Sequence, residues 1–289
     1  MLVEIDRIQI AVADRGAAAH AWTSLLGAEP ADEDRLPGLS ARRSRLRIAQ
    51  GFVELLEADG AGAVADALAR RNGPHLFAAG ASTSDLGGLA ARLDRRGIGH
   101  LTEGGQIHLA GEMLGVPGLN LVVSPHAERP SVGLIDILYE ATLLNDGYAP
   151  AVARLAETLG IDRRHEVVIT SDRFGYDGLL TLFRPDALHR FEVIAPTRDG
   201  TTMARQLAKL GPALYMAFGE SRHIGEIEAR ARTAGAGLTV DRPAGRAEDA
   251  PADQLWLHPG SLGGVMLGVS RPTMAWHWSG QPARVEAVA

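Results

Sequence analysis

The feature that most narrows what this chain can fold into is a text repeated at one spacing. Glu54 in Phe52-Val53-Glu54-Leu55-Leu56 returns 138 positions later as Glu192 in Phe191-Glu192-Val193-Ile194. Gly73-Pro74-His75-Leu76-Phe77 returns at the same offset as Gly211-Pro212-Ala213-Leu214-Tyr215, and Leu89 to Gly99 as Ile227 to Gly237, both ending Gly-x-Gly. One register held over about fifty residues marks an internal duplication. A chain of 289 residues is also long enough for two domains, each with its own core.

Hydrophobic periodicity supplies the elements within each copy. Ile5 to Val12 alternates polar and apolar residues as a half-buried strand, and Ala17 to Leu26 has helical spacing with Gly27 as its stop. Strands are expected near Glu29–Asp32, Ser44–Ala49 and Phe52–Glu57, followed by an Ala/Gly-rich connector. The order then restarts with a strand at His75–Gly80, a helix at Leu86–Arg96 and strands near Gly105–Leu109, Glu112–Leu114 and Leu119–Val123. A polar, proline-bearing stretch reads as a linker.

The second copy runs from a strand at Leu134–Leu144 and a helix at Ala149–Leu159 to strands at Leu255–His258 and Gly264–Val269. Thr202–Leu210 and Ile224–Thr233 are expected as helices, and Arg242–Asp253 as a flexible loop. The expected fold class is α+β, built of tandem paired βαβββ modules. Domain boundaries are expected at 1–125 and 133–272, with a linker at 126–132 and a tail at 273–289 whose Trp276 and Trp278 suit packing or a dimer contact.

Composition excludes several classes of function. No apolar run reaches the roughly 18 residues of a membrane span, and the opening residues show no secretion signal, so a cytoplasmic location is expected. A net charge of −6 without a basic block argues against nucleic acid as a partner. The absence of cysteine removes thiolate ligands and thiol nucleophiles. Lys209, the single lysine, sits in an amphipathic helix and reads as a surface residue. Gly260 to Gly264 lacks the strand-turn-helix setting of a phosphate loop.

Four βαβββ units, together with the opening strand Ile5 to Val12, the strand Phe52 to Leu56 and the hairpin text Leu255 to Leu267, resemble the vicinal oxygen chelate superfamily of glyoxalases, epimerases, extradiol dioxygenases and drug-sequestering proteins. The resemblance implies two half-open barrels, each with a metal held from the first and last strands of its units. Carried onto this chain, those positions are Arg7, Glu54, His75 and Asn120 in the first domain and Tyr139, Glu192, Ala213 and Gly268 in the second. Such metals need three or four His or carboxylate ligands. The second set offers one. The first offers Glu54 and His75, to be completed by Gln9, Asn120 or His108 if a divalent metal is held there at all.

Glu54 and His75 are therefore the candidate catalytic pair and the candidate metal ligands. Arg7, Gln9, Asn120, Tyr139 and Glu192 are candidates for binding substrate, with His189 as a possible partner for Glu192. A carboxylate and an imidazole across one hollow suit proton abstraction beside a carbonyl, while Arg7 serves either as anion receptor or as the counter-ion of Glu54. The expected function is a lyase, isomerase or dioxygenase acting on a small oxygenated or carbonyl compound through an enolate-like intermediate in the cavity of the first domain. The alternative is a metal-free binder that sequesters a small molecule. Either way the partner is a small molecule, and the chain is expected as a monomer or homodimer.

Overall fold

The computed structural model describes residues 2–247 and 250–288, so part of the Arg242–Asp253 loop lies outside the described residues. Two eight-stranded mixed sheets make up the β structure. The first contains β1 (Leu2–Val12), β2 (Glu29–Leu36), β3 (Ala41–Ile48), β4 (Gly51–Ala58), β5 (His75–Thr83), β6 (Leu101–Glu103), β7 (Gln106–Leu109) and β8 (Leu121–Pro125). Its order is β2-β3-β4-β1-β5-β8-β7-β6. The second contains β9 (Ile137–Leu144), β10 (Glu166–Ser171), β11 (Tyr176–Leu182), β12 (Arg190–Pro196), β13 (Ala213–Glu220), β14 (Leu238–Asp241), β15 (Gln254–Leu257) and β16 (Met266–Ser270), in the order β10-β11-β12-β9-β13-β16-β15-β14.

The helices are α1 (Arg15–Leu26), α2 (Ala63–Arg71), α3 (Leu86–Arg95), α4 (Gly111–Leu114), α5 (Tyr148–Leu159), α6 (Thr202–Leu210) and α7 (Ile224–Thr233). Each sheet thus joins two βαβββ modules, and the α+β class with tandem paired modules is what the chain adopts. The repeat is visible in the elements, since α3 and α7 begin and end 138 residues apart.

Packing groups the chain into two compact units, Met1–Ile5, Ala78–Ala127 and Glu140–Tyr215 in one, and Asp6–Phe77, Glu128–Tyr139 and Met216–Ala289 in the other.

Local chemistry accounts for the element ends. Asp14 caps α1 by accepting the Ala17 amide at 2.9 Å, and Gly27 closes it at φ 71°, a left-handed conformation that glycine adopts without strain. Trp22, Leu25 and Leu26 form its buried face, and the indole Nε1 donates to the Leu262 carbonyl at 3.2 Å.

Three expectations are corrected. The Ala/Gly-rich connector contains α2, whose Val64 and Ala67 are buried; it lacks a side-chain N-cap, the usual sequence mark of a helix start. Glu112–Leu114 lies in the short helix α4, with Asn120 Oδ1 accepting the Gly111 amide at 3.1 Å at its start. The strand that completes this module is β6, too short to show alternation.

Candidate functional site

On β4, Glu54 is central to a closed ionic network. Parallel pairing of β1 with β4 sets Arg7 opposite Phe52 and Gln9 opposite Glu54, and antiparallel pairing with β3 sets Arg43 opposite Leu56, all on one face of the sheet. Glu54 Oε1 accepts from Arg7 Nη1 at 2.8 Å, and Oε2 accepts from Gln9 Nε2 at 2.8 Å and from Arg43 Nη1 at 3.2 Å. Arg7 also donates to both Asp6 oxygens, at 3.1 and 2.8 Å, and Arg43 to both Asp34 oxygens, at 2.8 and 2.6 Å. Glu54 and Gln9 have no exposed surface, and Arg7 and Arg43 next to none.

Burial alone would push the Arg7 guanidinium down, yet Asp6 and Glu54 hold it above its ordinary value. Arg43 is raised in the same way: against burial, Asp34 and Glu54 win. Arg7 is therefore the counter-ion of Glu54 rather than a free anion receptor.

The expected pairing of Glu54 with His75 is not formed. His75 is the first residue of β5 and its Nδ1 lies 3.0 Å from the Gly73 carbonyl. Burial lowers its pKa, and the charges of Arg71 and Arg70 at the end of α2 lower it further. The missed helix thus decides the chemistry around this imidazole, supplying cations where a metal ligand or general base needs a carboxylate. Asn120 is engaged at the start of α4, and His108 is buried on β7.

The second repeat carries a different constellation. Pairing of β12 with β9 sets Glu140 opposite Arg190 and Thr142 opposite Glu192. By this register Glu140, not Tyr139, corresponds to Arg7, and Thr142 to Gln9. A slip of one residue along a strand moves every side chain to the other face, and Tyr139 faces away, its hydroxyl 3.2 Å from Ser270 Oγ and its ring 6.2 Å from that of Phe218.

Arg190 Nε donates to Glu140 Oε2 at 2.6 Å, while Thr142 Oγ1 lies 3.1 Å from Glu140 Oε1 and 2.5 Å from Glu192 Oε2. A threonine hydroxyl has one hydrogen. Both contacts are satisfied when protonated Glu192 donates to Thr142 and Thr142 donates to Glu140, and the 2.5 Å separation is that of a strong O–H···O bond. Charge agrees, because burial first and the neighbouring Glu140 second push the Glu192 carboxyl well above the usual carboxylate range, against the opposing effects of Thr142 and Arg190. Tyr176 is raised by burial and by the two carboxyls. His189, the expected partner of Glu192, instead accepts the Ile5 amide at 3.2 Å, and the residue two positions before Glu192 on its face is Arg190.

Glu140, Thr142, Arg190 and Arg43 were absent from the sequence-based candidates, although Arg190, two residues before Glu192 on the same strand, was a usable signal. Lys209 is exposed in the last turn of α6, and His258 bonds Thr239 Oγ1 at 2.9 Å in a structural role. Trp276 packs beneath Arg284, 3.5 Å from the ring centre. A surface cleft of about 350 Å³ is lined by Arg15, Asp32, Glu33, Ser44 and Arg45 among others, and none of Glu54, His75 and Glu192 lines it.

No protein-family model matches the chain, and no curated protein matches its sequence. Solved structures do match. A triple-substituted 4-hydroxymandelate synthase from Streptomyces coelicolor superposes with a TM-score of 0.69 at 13% identity, over 94% of this chain and 93% of that one. A xylose isomerase-like TIM barrel/4-hydroxyphenylpyruvate dioxygenase fusion protein gives 0.65 at 13% identity over 94% of this chain and 49% of that one. Methylmalonyl-CoA epimerase from Mycobacterium tuberculosis matches 48% of this chain and 90% of its own, at 20% identity and a TM-score of 0.40. The chain has the vicinal oxygen chelate fold. At these identities the likeness establishes architecture and nothing about activity.

The metal that this fold commonly carries does not fit the residues present. In the first set both oxygens of Glu54 are taken by donors, two of them permanently charged guanidiniums, and His75 is turned to a backbone carbonyl. In the second set Arg190 occupies the carboxyl cluster, Ala213 has no donor atom, and a Cβ on Gly268 would lie 2.1 Å from the Phe218 ring. Among the described residues no group of three His, Asp or Glu is disposed to hold a metal ion. Gly268→Ala is expected to cost about 1–3 kcal/mol through that overlap, read as a lowered urea midpoint.

Proposed function

We propose that this protein is a metal-independent enzyme of lyase or isomerase type, acting on a small oxygenated or carbonyl compound at Glu192 in the second repeat. The supporting observation is the hydroxyl of Thr142 between two carboxyl groups, an arrangement satisfied with Glu192 as a neutral acid, and Glu192 has 6% of its surface exposed, whereas Glu54 has none. A neutral carboxylic acid has one proton to donate, so a bound carbonyl oxygen takes that hydrogen bond in place of Thr142 Oγ1, and the bond strengthens as negative charge develops on the oxygen. Thr142 orients the acid, and the Arg190–Glu140 ion pair holds Thr142 in place.

Deuterium uptake beside the carbonyl in a panel of small ketones, 2-oxo acids and acyl thioesters tests the reading. Uptake in at least one class is expected, the proton beside the carbonyl passing to a base from solvent while Glu192 stabilises the charge left on oxygen, and it is slowed about 100-fold or more by Glu192→Gln. Uptake untouched by that substitution removes Glu192 from the chemistry, and none across the panel leaves the second reading: a binder without chemistry. The sealed state of Glu54 favours that role for the first repeat.

A further inference from the structure

We propose that the Tyr176 hydroxyl is a second hydrogen-bond donor beside Glu192, the two forming a receptor for the oxyanion of an enolate or phenolate; this rests on the reading of Glu192 as a neutral acid. Strand alternation puts both residues on one face of the sheet. Antiparallel pairing of β11 with β12 sets Leu180 opposite Glu192, Gly178 opposite Ile194 and Tyr176 opposite Pro196, so Tyr176 shares its face with Glu192 and, through β9, with Glu140 and Thr142. Gly178 is the residue between Tyr176 and Leu180 on that face, so no β11 side chain stands between them. A Cβ at Gly178 would lie 2.5 Å from the Val193 carbonyl oxygen.

Tyr176 is half-buried, yet its hydroxyl makes no hydrogen bond among the described residues and is not closed off from solvent. A tyrosine packed this far into a protein usually bonds its hydroxyl, as Tyr139 does with Ser270 Oγ at 3.2 Å. Electrostatics place the Tyr176 hydroxyl near the acids. Burial first, then Glu192 and Glu140, hold its pKa above the ordinary value, and Arg190 offsets this only in part. The hydroxyl is thus within the field of both carboxyls and keeps its proton, the form that donates. Tyr215 is raised by burial alone, with no carboxyl acting on it.

Two neutral donors suit an oxygen on which charge develops. Glu192 turns its proton from Thr142 to the ligand oxygen, Tyr176 donates to the same oxygen from the neighbouring strand, and Thr142 keeps its bond to Glu140. Neither donor gives up its proton. The charge formed when a base from solvent removes the proton beside the carbonyl stays on the oxygen between them. The guanidinium of the cluster, Arg190, is already neutralised by Glu140, so the hold on the ligand depends on these two hydrogen bonds rather than on a cation. A phenolate presents the same kind of oxygen without undergoing the reaction.

The experiment titrates 4-nitrophenolate, a stable oxyanion with a visible absorption band, into the full chain. A saturable shift of the band with a Kd of about 1 mM or tighter is expected, at least about tenfold weaker in Tyr176→Phe, which removes only the hydroxyl, and unchanged in Tyr215→Phe. In deuterium uptake Tyr176→Phe is expected to lower kcat about 100-fold and to change KM little. The proposal is overturned by absence of saturation, by affinity that Tyr176→Phe leaves intact, or by equal weakening in Tyr215→Phe. Binding of 4-nitrophenolate through Tyr176 by a protein that exchanges no carbonyl compound would remove the proposed reaction and leave the receptor. Exchange that depends on Glu192, with neither readout altered by Tyr176→Phe, would do the reverse.

Discussion

Glu54→Ala is expected to lower the unfolding free energy by about 3–5 kcal/mol, the range for breaking a buried ion pair from one side. Glu54 accepts hydrogen bonds from Arg7, Gln9 and Arg43, and all four side chains are sealed from water. Alanine leaves two buried guanidiniums with less counter-charge and the Gln9 amide without its acceptor. Each guanidinium retains its second carboxylate, Asp6 for Arg7 and Asp34 for Arg43, so the fold should persist with a lower urea midpoint rather than collapse. Glu54→Gln keeps one acceptor oxygen and is expected to cost less. A Glu54→Ala protein within about 1 kcal/mol of the parent would show that water already reaches this network.

The second large effect depends on pH. In the folded chain burial and Glu140 raise the pKa of Glu192, while in the unfolded chain the same carboxyl ionises in the ordinary range. The folded state therefore holds a proton that the unfolded state gives up. Relative to its value below the unfolded pKa, stability falls as pH rises toward the folded pKa, by about 1.4 kcal/mol per pH unit. Glutamine at 192 does not titrate, yet its amide still donates toward Thr142.

The Glu192→Gln protein is thus expected to match its parent near pH 4 and to exceed it increasingly on the alkaline side. Unfolding midpoints of the two proteins measured across pH check this. Parallel curves would mean that Glu192 is ionised in the folded state, and the neutral-acid reading of the second repeat would fail with them.

How much of this was legible beforehand differs from element to element. The repeat gave the two sheets and the matched helices α3 and α7, because hydrophobic spacing and Gly-x-Gly stops are local properties of a chain. The site was only half legible. Glu54 and Glu192 were found at corresponding strand positions, and Gln9 was placed on the same face as Arg7, since alternation along a strand is also local. The first strand of the second repeat was read one residue out of register, which exchanged Glu140 for Tyr139. Nothing within β9 alone states which of two adjacent residues faces Glu192, because that is decided by hydrogen bonding to β12.

By itself, then, the amino-acid sequence determined the architecture and the presence of an acid on each corresponding strand, through periodicity and duplication. Tertiary structure decided what those acids are. Arg7 and Arg43 converge on Glu54 from separate strands, so one carboxyl is locked as an anion. Glu140 and Thr142 are brought against Glu192 with a single guanidinium between two acids, so the pKa of the other is raised well above the usual carboxylate range. The state of a buried carboxyl is set by the charges within a few ångströms and by the water it has lost, and both are properties of the packed chain.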